Sequence, residues 1–271
     1  MEKSLENRES DSVLMNSEIK ICDKCGDPIE KEILILGKTR RVPVTCSCKK
    51  KEIEERRIYE EHIEKEERLK RLFNNSLMDK KFINETFENW DFNKGNKSMY
   101  NVGVKYCEKF KEVKKEGLGF ILYGKPGNGK TYLSNCIGNR LLNKFVPVIC
   151  VGINQLLERI RQTYNKYGNE GEDTILRGLA LADLLILDDL GAEQLTEWSV
   201  SKVYTIIDSR YRNKLPIIIS TNKTVSELRD MYGERTIDRV LEMCTPIENK
   251  GESIRKNNAK RNTDLLRDIL K

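Results

Sequence analysis

At 271 residues, with 34% charged and 38% hydrophobic residues, the chain is long enough for one good core and a smaller accessory module. No apolar run approaches the ~18 residues of a membrane span, so an integral membrane protein is excluded as an expectation. The 49 basic residues stand against 43 acidic ones for a net charge of +6, which permits nucleic-acid contact without arguing for it.

The first twenty residues, MEKSLENRESDSVLMNSEIK, are polar and aperiodic, so residues 1–20 are expected to be disordered. They contain no apolar h-region, so no secretory signal is expected, and a cytoplasmic location disfavours structural disulfides. Residues 21–50 form a small cysteine module: Cys22-x-x-Cys25 and Cys46-x-Cys48 flank Pro28, a strand-like EILIL and the turn-prone Gly37. Four thiolates that can face one ion suit tetrahedral Zn²⁺, and a module with so few core residues gains most of its folding energy from such a site. A redox pair is the alternative. The other cysteines, Cys107, Cys136, Cys150 and Cys244, are dispersed among apolar neighbours and read as core.

From Lys49 to about Phe73 the chain has no Gly or Pro and carries opposite charges three and four apart, so a charged helical arm is expected, with a helical linker over 51–80. Its apolar residues, Ile53, Ile58, Ile63, Leu69 and Leu72, are too sparse for a sustained heptad. From Phe120 onward, short apolar runs (FILYG, FVPVICVG, LLILDD, PIIIST) alternate with helical stretches at Lys130–Asn143, Ile153 to about Tyr164, Thr196–Asn213 and Val225–Met243, the last broken near Gly233. That alternation predicts an α/β fold, a parallel sheet with crossover helices.

GKPGNGKT, from Gly124 to Thr131, fits G-x-x-x-x-G-K-[ST] between a strand and a helix. Gly124, Lys125, Pro126, Gly127, Asn128, Gly129, Lys130, Thr131 and the following Tyr132 are therefore the candidate nucleotide-binding residues. The glycines let backbone N–H groups curl around a phosphate of ATP, Lys130 would reach the β and γ phosphates, and Thr131 would bind Mg²⁺. LLILDDLG supplies the acidic partner: Asp188 would hold Mg²⁺ and Asp189 would polarise the attacking water, with Glu193 the nearest other acid. The strand IIIS ends in Thr221 and Asn222, whose amide could orient that water, although an Asx turn before the next helix is equally natural.

These three motifs, so spaced, resemble the AAA+ ATPases. More narrowly, LADLLILDDLGAEQLTEW, YTIIDSRYRNKLPIIISTN, YGERTIDRV and GESIR, with the lead-in NETFENWDF, resemble the helicase-loader group typified by DnaC and DnaI, over roughly Leu72 to Arg255. The resemblance implies a lidless AAA+ domain over 81–255, followed by a basic C-terminal tail over 256–271. It also implies ATP hydrolysis, slow because Asp189 stands where many members carry Glu, single-stranded DNA binding, and delivery of a hexameric replicative DNA helicase. Asn222 matches the sensor position, and Arg235 or Arg239 matches the arginine that completes a neighbouring subunit's site, which implies a nucleotide- or DNA-dependent homo-oligomer. Loaders of the DnaI type similarly carry an N-terminal zinc module that contacts the helicase. A transposition helper ATPase and a nucleotide-regulated zinc-containing DNA-binding protein are the alternatives. Arg159, Arg161, Tyr164, Lys166 and Tyr167 interleave charge and aromatics as a stacking groove for single strands would, and as an amphipathic helix end does too.

Overall fold

The computed structural model describes residues 19–35, 37–73, 84–164 and 171–270. Most of the expected disordered N-terminus, linker positions 74–80, and Lys166 and Tyr167 lie outside the described residues. The chain divides into two compact units, Met1–Glu61 and His62–Lys271.

In the first unit, β1 (Glu30–Ile35) and β2 (Lys38–Pro43) pair as an antiparallel hairpin. The charged helix α1 (Ser47–Phe73) begins just after it and is 27 residues long. Its exposed ion pairs follow the expected spacing, with Arg57 2.7 Å from Glu54 and 3.8 Å from Glu61. The spacing favours helix locally, while its net contribution to stability is small because water screens both pairs.

The second unit is built on a five-stranded parallel sheet in the order β4-β5-β6-β3-β7. Its strands are β3 (Gly119–Tyr123), β4 (Val148–Gly152), β5 (Leu184–Asp188), β6 (Ile217–Thr221) and β7 (Cys244–Glu248). The inner strands read as unbroken apolar runs because both of their faces are covered. Alternate residues divide between two cores: Ile121, Leu185, Leu187, Ile217 and Ile219 on one face, Phe120, Leu122, Leu184, Ile186 and Ile218 on the other. Helices α5 (Ile153–Thr163), α6 (Glu172–Leu181), α7 (Glu197–Arg212), α8 (Val225–Tyr232) and α9 (Glu234–Met243) pack on the first face. The second face is covered by α2 (Lys97–Glu108) and α4 (Lys130–Leu142), with α3 (Phe110–Glu116) contributing Phe110. A single exposed helix, α10 (Ile254–Ile269), follows β7 among the described residues, where a multi-helix lid would begin. The basic tail is thus helical.

Capping boxes at Thr196 with Ser199 and at Thr224 with Glu227 start α7 and α8 close to the sequence expectation. Strand β7 is not legible in the same way, because CTPIE carries a proline. Pro246 is tolerated since β7 lies at the sheet's edge and pairs only with β3.

Arg210 is fully buried near the start of the inner strands. Its Nη1 donates to the carbonyls of Leu179 (3.0 Å) and Ala182 (2.6 Å), and its Nη2 donates to those of Asp183 (3.4 Å) and Pro216. Burial pushes the guanidinium down to about 9, still protonated at neutral pH. These carbonyls close α6 and lead into β5 and β6, so removing the donor would leave several of them buried and unpaired. Arg210→Met is expected to cost on the order of 3 kcal/mol by denaturant unfolding. A midpoint unchanged from wild type would show that the carbonyls find other donors.

Candidate functional site

The phosphate-loop motif joins β3 to α4 at the C-terminal edge of the sheet, where ligands collect in parallel α/β folds. Gly129 stands immediately before α4 at φ +90°, so the helix's unpaired N–H groups open into the loop. Gly127 is at φ +78°, and a Cβ there would lie 2.6 Å from Ser253 Oγ, so the position demands glycine on two counts. Lys130 is buried, and its Nζ donates to Gly124 O (2.9 Å), Lys125 O (2.9 Å) and Asn128 Oδ1 (3.1 Å). Burial lowers its pKa, against the charges of Asp189 and Asp188 that raise it. The ammonium is thus held by three neutral oxygens within a buried loop.

Asp188 ends β5, beside the loop. Thr131 Oγ1 lies 3.2 and 3.1 Å from its two carboxylate oxygens, so the two residues expected to hold Mg²⁺ are in contact. Burial raises the Asp188 pKa, while hydrogen bonds from Ser220 and Thr131 lower it. An oxygen-only pair at the mouth of a phosphate loop fits the donor set of Mg²⁺. Asp189 follows at φ +55°, a left-handed conformation that aspartate tolerates better than most residues. Asn222 is exposed just past the end of β6, the strand between those that carry Asp188 and the phosphate loop. Glu193 is committed elsewhere: its carboxylate accepts the Tyr232 hydroxyl and, at 2.9 Å, the N–H of Gly191.

Three features of this site were not read from the sequence. Asn249, after β7, exchanges hydrogen bonds with Asn128: Asn128 Nδ2 donates to Asn249 O (2.7 Å) and Asn249 Nδ2 to Asn128 O (2.9 Å). Ile254 N–H donates to Gly127 O at 2.9 Å, so the segment containing GESIR straps the phosphate loop and brings Arg255 beside it. Next to the strap is a cavity of about 250 Å³, lined by Trp90, Met99, Gly129, Tyr132, Asn249 and Ile254, with Trp90 and Tyr132 in edge contact at 5.6 Å. The one signal for the cavity in NETFENWDF was Trp90.

The two arginines of α9 differ. Arg239 is largely buried, its Nη1 2.6 Å from Asp208 Oδ1 without the alignment of a hydrogen bond, and its guanidinium lies over Tyr204 (5.0 Å) and Tyr211 (5.5 Å). Arg235 is exposed and rests over Tyr204 at 5.5 Å. Both sit on the sheet face opposite α4. Of the possible stacking residues, Arg161 lies over Trp198 at 5.0 Å, and Tyr164 bonds Trp198 Nε1 (3.2 Å) and Glu172, so both are engaged within the chain.

In the first unit the Sγ atoms of Cys22, Cys25, Cys46 and Cys48 all lie within 4.8 Å of one another. Two pairs are separated by 3.5 Å (Cys22, Cys48) and 3.2 Å (Cys46, Cys48). Tetrahedral zinc with bonds of about 2.3 Å requires sulfur separations of about 3.8 Å, so the four thiols fit the ion with small adjustments. Asp27 Oδ2 accepts the N–H of Ser47 at 2.8 Å, which fastens the first cysteine turn to the start of α1, where Cys48 lies. Hydrogen bonding, led by the Asp27 N–H, lowers the Cys25 thiol to about 6, while neighbouring thiols, Cys46 first, push Cys48 up to about 12. Four thiolates this close repel one another, and a divalent cation relieves that repulsion. A redox pair would need only two of them.

A family model described as IstB-like ATP binding protein matches residues 45–262. The chain belongs to this family. Its strand order and phosphate loop give the family's AAA+ fold. Replicative helicase loader DnaC of Buchnera aphidicola (subsp. Baizongia pistaciae) is 29% identical over 174 residues, covering 64% of this chain and 70% of that protein. The protein of the same name from Escherichia coli K12 is 28% identical over 176 residues, covering 64% and 69%. Among solved structures, that of the DnaC helicase loader superposes with a TM-score of 0.53 at 22% identity, over 63% of this chain and 99% of that one. A DnaI structure gives 0.52 at 23%, over 65% and 93%. Among the described residues, no helix of this IstB-like protein is long and apolar enough to cross a membrane.

Proposed function

We propose that this IstB-like protein is an ATP-dependent loader of a hexameric replicative DNA helicase, which binds single-stranded DNA and delivers the helicase to it. The carrying observation is that an ATP-type phosphate loop stands in one compact unit while a four-thiol cluster heads another. Sequence relatives named as replicative helicase loaders support the same reading.

In this reading the adenine base occupies the cavity beside Trp90 and Tyr132, and the phosphates lie along the N–H groups of Gly124–Tyr132. Lys130 leaves the carbonyls of Gly124 and Lys125 for the β and γ phosphates. Thr131 and Asp188 would hold Mg²⁺, whose charge would offset the negative charge that develops on the phosphates. Asp189 accepts the proton of the attacking water and Asn222 orients that water. Arg235, not the tethered Arg239, reaches the γ phosphate of a neighbouring subunit, since α9 lies across the sheet from its own phosphate-loop helix. Hydrolysis is slow until DNA or the helicase completes the site.

Zinc held by Cys22, Cys25, Cys46 and Cys48 is structural, because four protein ligands leave no open position. The unit's work is docking, and the exposed Ile21, Leu34 and Ile35 provide apolar surface for the helicase. Full-length protein is expected to carry one equivalent of zinc and to co-purify with the replicative helicase. Cys25→Ser should lose both the metal and the helicase while still binding ATP. Helicase capture at full affinity by the metal-free variant would sink the docking role, and capture of a transposase instead would favour a transposition helper.

A further inference from the structure

Ser220 lies in β6 with no exposed surface, a polar residue that follows three buried isoleucines and precedes the equally buried Thr221. Its hydroxyl donates to Asp188 Oδ1 and accepts the N–H of Asp189 at 3.1 Å. Its carbonyl accepts the N–H of Leu190 at 2.9 Å. One residue thereby grips the last residue of β5 and the two that follow it, and the middle one of the three is held at φ +55°. The regular pairing of β5 with β6 covers only Leu185–Leu187 against Ile217–Ile219, so beyond Leu187 the ladder gives way to these bonds from Ser220.

The hydroxyl's single proton and its lone pairs have separate tasks. The proton orients the Asp188 carboxylate, and a lone pair fixes the peptide that turns Asp189 into its left-handed conformation. Thr131 also bonds Asp188, but a threonine that turns to a metal gives that bond up. Ser220 sits a strand behind the phosphate loop and has no such second task. A buried carboxylate with one oxygen fixed has only the other free to swing toward a cation, which lowers the ordering cost of coordination.

We propose that Ser220 is a positioning residue that presents Asp188 to the nucleotide's magnesium ion and sets the backbone of Asp189 for attack. The proposal rests on the reading of Asp188 and Asp189 given above. It is tested by titrating Mg²⁺ into full-length protein with a non-hydrolysable ATP analogue, following binding by calorimetry, alongside steady-state turnover of ATP. Ser220→Ala is expected to raise the Mg²⁺ concentration for half-maximal binding, and to lower kcat, by about 10- to 100-fold, as loss of an outer-shell partner does. Binding of the analogue in EDTA should stay as in wild type, and Ser220→Thr, which keeps the hydroxyl, should recover most of the loss. A purely structural serine would lower the unfolding temperature and leave the Mg²⁺ requirement alone, and that result overturns the proposal. Where Ser220→Ala does not fold, Ser220→Cys, of similar shape but a weak donor, carries the same test, and a wild-type Mg²⁺ requirement in it is equally fatal. Asp188→Asn separates the two levels: if it retains normal Mg²⁺ dependence, both the site reading and the proposal fall. If it loses that dependence while Ser220→Ala does not, only the proposal falls.

Discussion

Asp189→Asn is expected to lower ATP turnover by about 10²- to 10⁴-fold, the contribution of a general base, while ATP still binds. The substitution is unusually clean here. Asp189 occupies a left-handed backbone conformation at φ +55°, and asparagine accepts that conformation as readily as aspartate, so the turn should not move. The N–H that bonds Ser220 is unaffected by the side chain, and Lys130, Thr131 and Asp188 keep their places. Charge does change: Asp189 is the leading charge that offsets the burial of Lys130, so the variant binds the phosphates with an ammonium that is easier to deprotonate. Glu193 offers no substitute, because its carboxylate is held by Tyr232 and by the N–H of Gly191. Turnover unchanged in Asp189→Asn, with binding measured in parallel, would remove Asp189 as the base.

The division between what could and could not be read from the sequence follows the range of each interaction. The phosphate loop, the Asp188–Asp189 pair and the four cysteines are local patterns in which backbone geometry or ligand spacing is written into neighbouring residues. Their surroundings are assembled from distant segments. Asn128 meets Asn249 across 121 positions, and no pattern in either stretch announces the other. Ser220 offered a faint signal, since a buried polar residue after three isoleucines must find a partner. Helix α2 escaped notice because KSMYNVGVKYCE contains β-branched, aromatic and glycine residues of modest helix propensity. Gly103 is there for contact with α4, since a Cβ would lie 2.6 Å from Leu133 Cδ1. The choice between Arg235 and Arg239 was likewise beyond sequence, because the two stand four apart on one helix. In the fold, Asp208 on α7 and Tyr211 engage Arg239, whereas Arg235 is exposed.

Arg235→Ala is expected to lower DNA-stimulated ATP turnover by about 10³- to 10⁵-fold, the contribution of a guanidinium that reaches the γ phosphate from a neighbouring subunit. Arg239→Ala should behave differently, losing thermal stability through the broken contact with Asp208 and the two tyrosines while keeping its finger chemistry intact. Geometry within one chain favours action between chains. Helix α9 packs on the sheet face opposite α4, the helix that follows the phosphate loop, and a head-to-tail neighbour could bring Arg235 to another subunit's loop. Mixing decides the matter. Arg235→Ala keeps an intact phosphate loop, Lys130→Ala keeps an intact arginine, and each alone should be inactive. In an equal mixture of the two, about one quarter of head-to-tail interfaces pair an intact loop with an intact arginine, so part of the activity should return. The recovered rate should peak near equal proportions and vanish at either extreme, a dependence that contaminating wild-type enzyme would not show. If no mixture recovers activity although both variants fold and co-assemble, Arg235 does not act across a subunit boundary, and nucleotide hydrolysis in this IstB-like protein is completed within a single chain.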